Sequence, residues 1–235
     1  MKLLQRNKLI QFDNSFYKAF TDYQLIGIDE VGRGALAGPV IACAFLWKDN
    51  VDIEMYWNTP LQNLNDSKQL DKVERKKIYD LLIKLGCFGI GYGSVLEIEK
   101  LNILNATFLA MKRAFDELIK KINPPDKEPY LLIDGNKFNP YINCRQVPII
   151  GGDAKSSLIA SASIIAKVHR DALMHKISKS KKFNRFGWRT NVGYGTRSHR
   201  DAIRKHGLTP LHRKLFVRKT LTVAKTRLTT SLQSL

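Results

Sequence analysis

Asp29 and Glu30 close one apolar run, Leu25-Ile26-Gly27-Ile28, and Asp134 closes a second, Tyr130 to Ile133. A further acid, Asp171, falls one helical turn beyond Lys167 and is one of only three acids after residue 150. Taken singly, an acid at the end of a strand is usually a turn or cap residue. As a set in a basic chain, these acids ask for a chemical reason. Carboxylates with little His or Cys around them suit hard divalent cations, and Mg²⁺ is typically held by one or two carboxylates and completed by water and substrate phosphate. The reaction such ions serve is phosphodiester hydrolysis, in which they activate a water and stabilise the leaving oxygen. Neighbouring residues of a regular strand point to opposite faces, so Asp29 and Glu30 share one site only if the backbone bends. Gly32 and Gly34 make such a bend easy. The Gly32-Arg33-Gly34 triplet reads either as a tight turn or as backbone amides free to approach a ribose, whose 2′-OH distinguishes RNA from DNA.

The elements that must position these residues follow from periodicity. Short apolar runs predict strands at Leu25–Glu30, Pro39–Trp47, Cys87–Val95, Tyr130–Ile133 and Val147–Ile150. A helix is predicted over 71–85, with Asp71 as N-cap, Glu74 three residues on, Ile78, Leu81, Leu82 and Leu85 on one face, and Gly86 as the stop. A longer one is predicted over 98–122, where Leu101, Leu104, Phe108, Met111, Phe115, Leu118 and Ile122 recur at steps of three and four. Asn123-Pro124-Pro125 ends it. Another helix is predicted to start near Ala154 with Asp153 as N-cap, showing Leu158, Ala162, Ile165, His169 and Leu173 on one face. A last helix is expected from Ser198 to His206, stopped by Gly207. Strands that precede and alternate with helices give an α/β class with a mixed central sheet.

Charge is unevenly spread. The chain of 235 residues carries 39 Lys and Arg against 21 Asp and Glu, a net of +18, of which residues 151–235 hold +16. So positive a segment suits a polyanion, because neutralising phosphates releases condensed counterions. Cys43, Cys87 and Cys144 are odd in number and far apart, which disfavours a disulfide framework or zinc site and points to a reducing compartment. Arg6, Lys8, Asp13 and Lys18 interrupt the N-terminus, so neither a signal peptide nor a membrane span is expected, and the setting read from the sequence is the cytosol.

Several ordered motifs resemble one family. Asp29-Glu30-Val31-Gly32-Arg33-Gly34 resembles the D-E-x-G-R-G signature of type 2 ribonucleases H, in the ribonuclease HII branch. Asp66-Ser67-Lys68, Asp134-Gly135 and Gly151-Gly152-Asp153-Ala154-Lys155-Ser156 follow, and the run from Ser161 through Lys167 to Asp171 is the most specific match. Tyr194-Gly195-Thr196, His199 and His212-Arg213 complete the order, and the resemblance spans about residues 24–217. It implies a ribonuclease H-like fold, a mixed five-stranded sheet flanked by helices with a helical C-terminal extension. It also implies an N-terminal extension at 1–23, a catalytic domain at 24–182 and a basic substrate-binding extension at 183–235.

The catalytic and metal-binding acids carried over are Asp29, Glu30, Asp134 and Asp171, with two Mn²⁺ or Mg²⁺ ions once substrate is bound. The implied substrates are RNA–DNA hybrid and duplex DNA with embedded ribonucleotides, cut on the 5′ side of the ribonucleotide to leave 3′-hydroxyl and 5′-phosphate. Gly32, Arg33 and Gly34 would meet the 2′-OH, and Tyr194 would pack on the following deoxyribose. Lys155 is read as a phosphate contact, since a helix N-terminus with a nearby lysine is a natural anion site. No membrane partner is expected, and a monomer is. Two departures stand out: His169 replaces a hydroxyl residue and Leu215 replaces a serine. His199, His206 and His212 are spaced by 7 and 6, too irregularly for one helical face, and read as structural or phosphate-contacting. The rival readings are another nuclease or integrase of the same superfamily, which has no need to sense a 2′-OH, and a non-catalytic nucleic-acid binder, which gains nothing from turning four acids toward phosphates.

Overall fold

The computed structural model describes residues 2–49, 51, 53–56, 59–64, 70–122 and 127–218. Asp66-Ser67-Lys68 and Asn123-Pro124-Pro125 lie outside them. The chain divides into two compact units, one of Met1–Val31, Ile41–Tyr92 and Thr107–His169, the other of Gly32–Val40, Gly93–Ala106 and Arg170–Leu235.

In the first unit a five-stranded sheet runs in the order β3-β2-β1-β4-β5. Its strands are β1 (Tyr23–Val31), β2 (Val40–Trp47), β3 (Gly86–Gly93), β4 (Glu128–Asp134) and β5 (Arg145–Ile149). β2 is antiparallel to β1, while β1, β4 and β5 are mutually parallel, so the sheet is mixed as expected. β2 is buried along its whole length, which is why Val40 to Trp47 is apolar throughout instead of alternating.

Helix α1 (Lys2–Ala19) is part of this unit's core. Leu9 and Ile10 are buried, Phe12 and Phe16 pack on the sheet cluster, and the Phe20 ring meets Tyr130 edge-on at 4.7 Å. Helix α2 (Lys72–Leu85) matches its prediction. Asp71 accepts from the amides of Val73 and Glu74 at 2.8 Å each, and Ile78, Leu82 and Leu85 are buried.

Helix α3 (Val95–Ile122) does not run unbroken as the periodicity predicts. At Asn102 φ is 69°, and its side chain accepts from the amides of Leu104 and Asn105, capping a fresh helical start. The stretch before the break opens with a reciprocal cap, the Ser94 amide donating to Glu97 at 2.8 Å and the Glu97 amide to Ser94 Oγ at 3.2 Å.

Helix α4 (Ser157–Ser178) starts three residues later than predicted, and Asp153 is not its cap. Gly152–Ala154 forms a 3₁₀ turn instead. Ser156 caps it, its Oγ accepting from the Ile159 amide at 3.2 Å, and α1 adds a second acceptor: the Asp13 carboxylate accepts from Ser157 N at 2.8 Å, Ser157 Oγ at 2.6 Å and Leu158 N at 3.2 Å. Burial pushes Asp13 up to about 6. The helix lies so close to β1 that a Cβ on Gly27 would stand 2.3 Å from the Leu158 carbonyl carbon.

The second unit gathers Leu36, Ala37, Met174, Phe186, Trp188, Val192, Ile203 and Val217 into its own core. It contains the short α5 (Trp188–Asn191) and α6 (Arg197–His206), the latter capped by Thr196 and closed at Gly207, close to its predicted bounds. The expected helical C-terminal part is therefore present.

Candidate active site

The parallel register places Ile28 beside Ile133, so the next residues, Asp29 and Asp134, sit on adjacent strands at their carboxyl ends. Carboxyl ends of parallel strands are the usual binding edge of α/β sheets. Asp29 is only 5% exposed. One of its oxygens accepts from the Glu30 amide at 2.7 Å, and Ser163 of α4 hydrogen-bonds to it as well. Burial first, then the negative charges of Glu30 and Asp134, raise its carboxyl well above the ordinary range. Asp134 is oriented by the Gly152 amide, which donates to Oδ1 at 2.7 Å.

β1 stays regular through both acids, pairing Asp29 with Cys43, Glu30 with Ala42 and Val31 with Ile41. The bend that the glycines allow begins after them, at Gly32 with φ of 93°. The Asp29 and Glu30 side chains therefore start from opposite faces of the strand, yet the Glu30 charge lies close enough to raise the Asp29 carboxyl, so the two acids act on one another without the predicted bend.

Among the described residues no three His, Cys, Asp or Glu side chains form a ready-made metal cage. The donor chemistry nevertheless fits a hard divalent cation. Asp29 and Asp134 offer only oxygen, and each is oriented by a main-chain amide. Mg²⁺-type sites need no more than one or two carboxylates from the protein.

The second unit carries Gly32, Arg33, Gly34, Asp171 and Tyr194. Gly32 is buried, Arg33 and Gly34 are exposed, and Asp171 and Tyr194 are half-buried. Lys155, in the first unit, donates to Ile150 O at 2.7 Å. The amides of Ser157 and Leu158 at the start of α4, the anion site expected beside it, are taken by Asp13.

Two of the three histidines meet in the second unit. The Thr209 amide donates to Nδ1 of His212 at 2.9 Å, so the neutral ring carries its proton on Nε2. That proton faces Nε2 of His199 at 3.2 Å, which also accepts from Trp188 Nε1 at 2.9 Å. His199 is left with its proton on Nδ1, donating to Tyr194 O at 2.9 Å. Burial depresses both rings, His212 to about 4, with the neighbouring His199 adding to it. Both rings are buried and bonded within the protein, in keeping with the structural one of the two roles expected for them. His169 approaches the Tyr79 hydroxyl at 3.3 Å and packs against Phe88.

Residues 26–220 match the ribonuclease HII family model, which takes in both strand-end acids, the Gly32-Arg33-Gly34 turn and the histidine pair. The chain belongs to the ribonuclease HII family. A ribonuclease HII of Fusobacterium nucleatum is 44% identical over 212 residues, covering 89% of this chain and 93% of that protein. Among solved structures, ribonuclease H2 of Pyrococcus horikoshii superposes with a TM-score of 0.63 at 24% identity, over 83% of this chain and 96% of that one. Bst-RNase HIII, crystallised in complex with Mn²⁺, gives 0.64 at 21% identity, over 87% and 71%. At those identities the structures bear on the fold, and the family membership rests on sequence. As a ribonuclease HII family member the chain is a metal-dependent hydrolase, an endonuclease acting on RNA, with ribonuclease H activity toward RNA–DNA hybrids. Among the described residues no helix is long and apolar enough to cross a membrane.

Sequence reasoning gave no role to two arginines that the structure makes prominent. Arg170 and Arg213 are both 0% exposed. Their neighbours Asp171 and His212 drew attention, but a buried arginine has no sequence signature apart from its apolar surroundings, and Arg170 sits among charged residues. Asp13 went unread because its partners are 144 and 145 residues away.

Proposed function

We propose that this chain cuts the RNA strand of RNA–DNA hybrids and also duplex DNA at single embedded ribonucleotides, on their 5′ side. Water adds to the phosphorus and the bond from phosphorus to the 3′-oxygen breaks. The products are a 3′-hydroxyl, which takes up a proton, and a 5′-phosphate. Asp29, Glu30, Asp134 and Asp171 are the catalytic carboxylates of this reading. They would hold two Mn²⁺ or Mg²⁺ ions, which supply an activated water and charge stabilisation of the leaving oxygen.

The observation that carries the reading is the Asp29–Asp134 pair at the carboxyl ends of adjacent parallel strands. Asp29 is held by Ser163 and the Glu30 amide, and Asp134 by the Gly152 amide, so neither must reorganise to receive a cation. Gly32, Arg33 and Gly34 are assigned to the ribose 2′-OH, Tyr194 to the deoxyribose that follows, and Lys155 to a phosphate. A monomer in the cytosol belongs to the same reading, in keeping with free thiols at Cys43, Cys87 and Cys144.

The test is Asp134→Asn. Its amide oxygen can still accept from Gly152, but the charge is gone. Cleavage of a hybrid should fall by roughly a hundredfold or more, the scale of losing one preorganised electrostatic group, while binding of the hybrid is kept or tightened. Near-wild-type cleavage would remove Asp134 from the site.

A further inference from the structure

Every side-chain nitrogen of Arg170 ends on a different main-chain oxygen of the second unit. Nε donates to Pro39 O at 3.1 Å, Nη1 to Val192 O at 2.9 Å and Nη2 to Ala37 O at 3.1 Å. Arg213 holds the same loop from another point, Nε donating to Gly38 O at 2.9 Å and Nη1 to Arg33 O at 2.8 Å, with its own amide on Leu36 O at 2.8 Å. The carbonyls of residues 33 and 36–39 are thus all engaged by two arginines.

Arg170 also touches both elements assigned above to the sugar. A Cβ on Gly32 would stand 2.2 Å from its Nε, so the Gly32 backbone lies directly against the guanidinium. The Tyr194 ring centroid is 5.3 Å from its Cζ, a cation–π distance. One buried planar group therefore spans Gly32 and Tyr194. Burying two cations in one unit is costly, and each repels the other: desolvation and then Arg170 bring Arg213 down to about 9. An ordinary loop needs no such device. What the guanidinium offers is a rigid fork with fixed donor directions, which lysine cannot imitate.

We infer that Arg170 and Arg213 are positioning residues that preset the Gly32–Gly34 backbone, with Arg170 also fixing its spacing from Tyr194, so that a ribose followed by a deoxyribose is read as one rigid gauge. The inference rests on the assignment of those two elements to the substrate sugars.

The test compares kcat/KM on duplex DNA containing one ribonucleotide with kcat/KM on continuous hybrid, using the full chain with Mn²⁺. Arg170→Lys and Arg213→Lys keep the charge and lose the fork, and Val217→Ala, which trims the same unit's core, serves as the thermal control. Arg170→Lys should lower the single-ribonucleotide to hybrid ratio by about tenfold or more, since misplacement of binding groups by about 1 Å can cost a hundredfold. The rise should be in KM for the single-ribonucleotide substrate, and Val217→Ala should leave the ratio where it is at a comparable loss of melting temperature. Arg213→Lys, which releases Arg33 O and Gly38 O, should shift the ratio in the same direction by less. Wild-type protein that ignores a single ribonucleotide would sink the sugar-reading assignment itself. Wild-type protein that cuts it, with unchanged ratios in both lysine variants, would overturn the positioning role alone. Failure of both variants to fold would make the arginines supports of the unit's core and would also overturn it.

Discussion

Replacing Asp13 by Asn isolates one buried charge. In the folded chain the carboxyl is 2% exposed, caps α4 and is pushed up to about 6, against 3.8 without that environment. The dominant cause is burial, which outweighs the hydrogen bonds from Ser156, Ser157 and Leu158. Between pH 3.8 and about 6 the unfolded chain has lost this proton while the folded chain keeps it. Stability must therefore fall as pH rises through that window, and the loss is complete above about 6. A shift of roughly two pH units is worth about 3 kcal/mol, or roughly 6–12 °C of melting temperature for a chain of this size. Asn keeps an oxygen for the Ser157 and Leu158 donors and has no proton to lose. Melting both proteins from pH 4 to 7.5 should show the Asn variant gaining on wild type by about that amount as pH rises. Because every other titrating group is common to both, the difference curve reports Asp13 alone. A constant difference across the range would refute the reasoning.

Binding to hybrid should weaken steeply with salt, given the +16 of residues 151–235. Changing Lys214, Arg218 and Lys219 to Gln should flatten the slope of log K against log salt by up to about 2.7, and an unchanged slope would place the phosphate contacts elsewhere. Tyr194→Ala should lose much of the cleavage at a single embedded ribonucleotide and keep more of that on continuous hybrid. If it loses both equally at an unchanged melting temperature, Tyr194 does not sense the following sugar.

The sheet was legible wherever apolar runs were bounded by acids or glycine. β1, β4 and β5 and the helix capped by Asp71 rest on local signals, and local signals survive folding. The break at Asn102 was missed because the stripe from Leu101 to Ile122 keeps its period across it, and only the capping tendency of Asn marks the interruption. The start of α4 was misplaced for the opposite reason. Asp153 has the right chemistry for a cap, but Ser156 three residues on supplies it, and a carboxylate from α1, which sequence distance hides, takes the first two amides. At the site, the motif gave the acids, yet the regularity of β1 through Glu30 and the taking up of the α4 amides by Asp13 needed coordinates. The same holds for Arg170 and Arg213, whose carbonyl partners lie between 22 and 180 residues away.

The most direct measurement incubates wild-type protein with a duplex labelled on the strand that carries one ribonucleotide, beside a continuous RNA–DNA hybrid, with Mn²⁺ and again with EDTA. Metal should yield a single cut on the 5′ side of the ribonucleotide, with a 3′-hydroxyl and a 5′-phosphate, and multiple cuts in the RNA of the hybrid. EDTA should abolish both. Cleavage that persists in EDTA, or that leaves a 2′,3′-cyclic phosphate, would contradict a carboxylate site built for divalent ions.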